Sequence, residues 1–132
     1  MAAEVLDSFA LIAYFKGETS AEAVRDLLEK AESTGEFLHM SEVNYAEVKY
    51  MLLKKEGEQG WEEAREVLEQ LPVDFHPATR ELADLAAVFK ARHKLSLADA
   101  FAAALAKQRK AFLVTGDPEF KSLEKQIRIR WL

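Results

Sequence analysis

The stretch Ala111-Phe112-Leu113-Val114-Thr115-Gly116-Asp117-Pro118 decides how this chain folds. Its first four residues are apolar without alternation, which reads as a strand buried on both faces, the signature of a parallel sheet. Thr115 to Pro118 then turn the chain sharply out of that strand. Just upstream, Ser96-x-x-Asp99 is a capping box that opens an alanine-rich helix, Leu97 to Lys107. Just downstream, a short helix around Glu119 to Leu123 and a last strand, Ile127 to Trp131, complete the chain.

Further toward the N-terminus the same alternation repeats. Val5-Leu6 is a short buried strand ended by Asp7, and Ser8 to Phe15 follows with helical spacing until Gly17. Thr19-x-x-Glu22 is a second capping box, opening a helix with a stripe of Val24, Leu27, Leu28 and Ala31 that Gly35 closes. Phe37 to Met40 is a strand. Ser41 caps a helix that runs to Gly57, and Trp61 to Leu71 forms another after Gly60, ended by Pro72. Val73-Asp74-Phe75 is a short strand, and Pro77 starts a helix through Leu82, Leu85, Ala86 and Phe89. Strands alternating with helices predict an α/β fold, a three-layer α/β/α sandwich with a mainly parallel central sheet, formed by residues 1–132 as a single domain.

Composition narrows the chemistry. The 132 residues contain no cysteine, which removes disulfides, thiolate metal sites and cysteine nucleophiles together. His39, His76 and His93 have no ligand spacing, so any metal must be held by carboxylates. The net charge of −5 argues against gripping nucleic acid by bulk electrostatics, leaving a metal-bridged phosphate as the alternative. Apolar runs fall far short of the ~20 residues that span a bilayer, and Met1-Ala2-Ala3-Glu4 is no signal peptide. A cytoplasmic protein with no membrane association is expected.

In an open parallel sheet, ligands bind beyond the carboxyl ends of the strands, where strand order reverses. Asp7 and Asp117 stand at two such ends, and each also fits an N-cap. Glu47 and Asp99 break the apolar pattern of their helices. Glu47 has Val43 and Met51 one turn to either side, and Asp99 has Leu95, Ala102, Ala103 and Ala106 around it. A carboxylate so placed costs several kcal/mol unless it is paired, protonated or bound to a cation. Neither has a Lys or Arg three or four residues away, although Asp99 also suits the N3 position of the Ser96 box and a distant Arg could reach Glu47. If the four converge, they form an oxygen-only pocket suited to Mg²⁺ or Mn²⁺, and such ions promote in-line displacement at phosphorus. Ser8 and Thr115 offer hydroxyls to orient a carboxylate or a metal-bound water, or serve as turn and cap residues. The basic clusters Lys90 to Lys94 and Lys107 to Lys110 fall at helix C-termini and suit the helix dipole, whereas Lys121 and Lys125 are better placed for substrate.

These residues match a known pattern. Val5-Leu6-Asp7-Ser8, Asn44-Tyr45-Ala46-Glu47-Val48, Leu95-Ser96-Leu97-Ala98-Asp99-Ala100 and Leu113-Val114-Thr115-Gly116-Asp117, in this order, make the chain resemble the PIN-domain ribonucleases, specifically the small VapC-like toxins. The resemblance implies that Asp7, Glu47, Asp99 and Asp117 are the catalytic, metal-binding quartet for Mg²⁺ or Mn²⁺. It further implies an endoribonuclease acting on RNA, a homodimer, and inhibition by a cognate antitoxin. Gly116, Pro118 and Glu119 depart from the residues relatives often carry there, which puts in doubt a further acid after Asp117. An apolar helical surface of Leu52, Leu53, Trp61, Val67 and Leu68 also suggests self-association. The competing readings are weaker: a haloacid dehalogenase-type phosphatase needs an Asp where Phe9 stands, and a receiver domain needs an acidic pair near Asp7. A PIN-like module that binds metal or peptide without nuclease activity is the alternative from another class.

Overall fold

A computed structural model describes residues 3–132; Met1 and Ala2, where the leader expectation falls, lie outside the described residues. Five strands form one sheet in the order β3-β2-β1-β4-β5, with β1 at Glu4–Leu6, β2 at Leu38–Ser41, β3 at Val73–His76, β4 at Phe112–Thr115 and β5 at Arg128–Trp131. Every pairing is parallel, so the sheet is wholly rather than mainly parallel. Strand periodicity divides the core into two. Leu6, Met40 and Val114 face one side, where they meet α1 (Ser8–Lys16), α2 (Ala21–Thr34) and α3 (Glu42–Gln70). Val5 and Leu113 face the other, against α4 (Arg80–Arg92) and α5 (Leu97–Gln108). The result is the expected three-layer sandwich.

Several boundaries differ from the sequence reading. The Thr19 box does not form: Ser20 precedes α2 with helical backbone angles (φ −81°, ψ −4°) and makes no side-chain cap bond. A cap side chain turns back onto the helix only from an extended conformation, which Ser41, Thr79 and Ser96 all adopt. Thr79, not Pro77, starts α4, because its hydroxyl accepts from the Leu82 amide at 3.1 Å. The two helices expected around Gly57 and Gly60 meet at one residue, Gly57 (φ 76°, ψ −177°), and Gly60 is helical. Phe37 lies outside β2 and is exposed.

The apolar surface read as a dimer contact is mostly the chain's own core. Leu52, Trp61 and Leu68 are buried within the α1–α2–α3 layer, and only Val67 of that set is well exposed. The basic clusters do fall at helix ends, with Lys90 and Arg92 in the last turn of α4 and Lys107 in that of α5. Lys90 Nζ also donates to the Leu95 carbonyl at 2.7 Å, tying the α4–α5 connection.

Gly57 occupies a backbone region that side chains enter at a cost of about 1–3 kcal/mol. Gly57→Ala is therefore expected to lower the melting temperature by several degrees, read by circular dichroism, because α3 must turn at that residue.

Candidate active site

Strand order places β2 on one side of β1 and β4 on the other, so the chain reverses direction across the sheet between β1 and β4. Asp7 follows β1 at that point. Its Oδ1 accepts from the Ala10 amide at 2.9 Å and caps α1, while its Oδ2 accepts from the Thr115 hydroxyl at 2.5 Å. Thr115 Oγ1 accepts in turn from the Asp117 amide at 3.0 Å. One chain of hydrogen bonds thus joins the ends of the two central strands. Asp7 is fully buried, and that burial raises its pKa from an ordinary 3.8 to about 7 against the two hydrogen bonds that favour the anion. The charges of Asp99 and Asp117 add to the rise.

Asp99 sits at the third position of α5, where its amide donates to the Ser96 hydroxyl at 3.1 Å. Burial lifts its pKa to about 6, reinforced by the neighbouring charges of Asp117 and Glu47. Asp117 caps a 3₁₀ turn, Pro118–Leu123, by accepting from the Glu119 amide at 2.9 Å. Capping and site roles therefore coincide at Asp7 and Asp117. Asp99, Asp117 and Glu119 each present an oxygen within 4.8 Å of the others. Glu47 reaches the same 340 Å³ cleft from α3, half-buried. Of the four acids expected from sequence, Glu47, Asp99 and Asp117 line one cleft, and Asp7 is buried next to it, coupled by charge to Asp99 and Asp117. Glu119, which the departure from the family pattern set aside, joins them.

Thr115 orients a carboxylate as its position suggested, but Ser8 does not. The Ser8 hydroxyl accepts from Asn44 Nδ2 at 3.0 Å, and that same amide group donates to the Ala98 carbonyl at 3.1 Å. Asn44 Oδ1 accepts from the Ser41 hydroxyl at 2.5 Å. This buried residue fastens α1, α3 and α5 together through Ser8 and Ala98, the chain neighbours of Asp7 and Asp99. Sequence reasoning missed it, although Asn44 precedes Glu47 by three residues and so shares its helix face. Lys125 is not at the cleft: it lines a cavity with Lys107, Lys110 and Arg128 at the amino ends of β4 and β5, the opposite pole. The histidines also stay apart from the acids, His39 and His76 being paired at 2.8 Å across β2 and β3.

The donor set fits a divalent cation. It consists of carboxylate oxygens, which suit Mg²⁺ or Mn²⁺, and two of its members are costly to ionise without a positive partner.

The sequence pattern of the PIN domain matches residues 5–126. The chain belongs to the PIN-domain family. No curated protein matches it by sequence. Among solved structures, the PIN domain here is similar to DNA-bound VapBC from Salmonella typhimurium, with a TM-score of 0.76 at 18% identity, covering 98% of each chain. It is also similar to VapC20 of Mycobacterium tuberculosis, a sarcin–ricin loop cleaving toxin, with a TM-score of 0.73 at 18% identity over 91% of this chain and 94% of that one. VapBC2 from Rickettsia felis, bound to a DNA fragment from its promoter, gives 0.72 at 17% identity, with 98% of each chain covered. At these identities the likeness establishes the fold.

The raised carboxyl pKa values make the metal-free PIN domain sensitive to pH. Between about 4 and 7 the folded chain holds a proton on Asp7 that the unfolded chain has released, so stability falls as pH rises through that window. Asp99 acts in the same direction up to about 6. In EDTA the melting temperature is expected to drop by about 10–15 °C across this range, since about three decades of proton affinity at Asp7, at ~1.4 kcal/mol each, amount to ~4 kcal/mol and each kcal/mol is worth a few degrees. Asp7→Asn retains an acceptor for Ala10 and removes the charge, so at pH 7 in EDTA it should melt at or above wild type. Mn²⁺ should then stabilise wild type more than the variant, by ~2.7 kcal/mol in wild type at a hundred times the dissociation constant. If Asp7→Asn melts well below wild type in EDTA, Asp7 is a structural cap and not a ligand.

Proposed function

We propose that this PIN domain is a Mg²⁺- or Mn²⁺-dependent endoribonuclease, the VapC-like toxin of a toxin–antitoxin pair, acting in the cytoplasm as a single domain, residues 1–132. The observation that carries the reading is the meeting of acids from four separate elements at the carboxyl ends of β1 and β4, two of them with strongly raised proton affinity. Asp99, Asp117 and Glu119 would hold the cation, with Asp7 and Glu47 completing the ligand field. A bound divalent ion supplies an activated water and neutralises the charge that develops on the phosphate oxygens. The chain's own contribution is preorganisation. Thr115 fixes the Asp7 carboxylate, Ser96 fixes the first turn of α5 beneath Asp99, and Asn44 holds the helices that carry Ser8, Glu47 and Ala98. Holding such an ion, the Asp7 carboxyl would give up the proton that burial favours.

The partner reading is supported by solved neighbours that are VapBC assemblies. A cognate antitoxin would cover the acid cleft. A homodimer is retained from the family resemblance alone, since the apolar surface first held to suggest it is largely internal.

The decisive experiment is cleavage of RNA by purified protein in Mn²⁺, in EDTA, and with Asp99→Asn or Glu47→Gln. Activity is expected only with metal, and each substitution should lower it by orders of magnitude while the far-ultraviolet circular dichroism stays the same. Full activity in either variant removes that residue from the site. Sedimentation at micromolar concentration should give twice the chain mass, and a monomeric mass overturns the dimer.

A further inference from the structure

We infer that Phe9 is a stacking platform for an unpaired nucleobase of the strand whose phosphate enters the acid cleft, a reading that rests on the nuclease function proposed above. Phe9 lies in the first turn of α1, two residues after Asp7, and lines the cleft while remaining 40% exposed. Its ring lies against Gly116. A Cβ added there would stand 2.4 Å from Phe9 Cε1 and 2.7 Å from Cζ, closer than atoms approach. The glycines with positive φ are Gly17, Gly35 and Gly57, so Gly116 is not required by its backbone angles. What it provides is room for the ring. The aromatic is thereby held over the residue immediately before Asp117, next to the carboxylates rather than in the core.

The electrostatics of the cleft favour this use of the ring. Its lining includes Glu18, Glu47, Asp99, Asp117 and Glu119, with no Lys or Arg among the described residues. An RNA strand therefore finds no cationic side chain in that lining to grip its backbone. Beside the Ser8 and Ser96 hydroxyls, which already accept hydrogen bonds from Asn44 and the Asp99 amide, the lining offers a divalent ion's bridge between acid and phosphate and an apolar face for a base. Stacking on an aromatic tolerates any base and requires that the base be unstacked from its neighbours, which selects single-stranded segments and loops over duplex. A polar side chain at position 9 would have no counterpart for this role.

The test uses the full chain with a short single-stranded oligoribonucleotide carrying a fluorescent purine analogue, and the same strand annealed to its complement. Binding is followed with the catalytically impaired Asp99→Asn chain, and cleavage with the otherwise wild-type chain in Mn²⁺. Phe9→Leu, which keeps apolar volume and loses the aromatic face, should weaken single-strand binding and raise KM by about tenfold, within the range that base stacking spans, with a much smaller change in kcat. Phe9→Tyr should restore both. Gly116→Ala should displace the ring and reproduce the KM effect, and combining it with Phe9→Leu should add little further. Equal single-strand binding and KM in Phe9→Leu and wild type overturn the inference. So does a loss confined to binding of the antitoxin or to self-association, which would make the ring a protein contact. If wild type cleaves no RNA yet its quenching of the purine analogue depends on Phe9, the nuclease reading fails while the stacking site stands; if it does neither, both fail.

Discussion

The structure depends on a carboxylate buried where two strands part. Asp7 is held between the Ala10 amide and the Thr115 hydroxyl, at the junction of β1 and β4. These two bonds satisfy its oxygens but do not offset the loss of water, so the group holds its proton up to about neutral pH. That unfavourable position is the cost of building a site at the switch point of a parallel sheet. A cation held there would remove the cost, and the same hydrogen bonds that keep Asp7 in place would leave it oriented once the proton had departed.

The remaining acids are arranged around this point by caps. Asp117 turns the chain out of β4 by capping the 3₁₀ segment, and the Ser96 hydroxyl sets the start of α5 so that Asp99 faces the cleft. Helix N-termini gather here because parallel strands deliver each following helix at their carboxyl ends. The partial positive charge of those termini moderates the repulsion among the acids. Asn44 performs the mechanical counterpart, spending its side-chain amide on Ser8, Ser41 and Ala98 so that three helices share one buried joint. No buried side-chain polar atom among the described residues is left without a partner.

Charge is segregated by pole. The carboxyl ends of the central strands carry the acids, and the amino ends of β4 and β5 carry Lys107, Lys110, Lys125 and Arg128. The net charge of −5 therefore conceals a basic end. Helix polarity accounts for Lys107, in the last turn of α5, and Arg128 and Arg130 stack over the Phe112 ring at 4.5 and 5.1 Å.

The amino-acid sequence by itself determined the alternation of strands and helices and the parallel sheet, and it singled out Asp7 and Asp117 at strand ends and Glu47 and Asp99 as carboxylates that interrupt apolar faces, because these features are written in local periodicity. The family order of those acids was legible for the same reason. Helix starts that depend on backbone conformation, as at Ser20 and Thr79, were not, since several residues near each start can cap and only the path of the preceding chain selects one. The place of Glu119 in the acid cluster, Asn44 as the joint of three helices, and Lys125 at the far pole were decided by tertiary structure alone. So was the apolar face of Leu52, Trp61 and Leu68, which the kink at Gly57 and packing against α1 and α2 turned inward. Periodicity identifies an apolar face within one segment; what covers it depends on elements distant in sequence, whose approach no local pattern encodes.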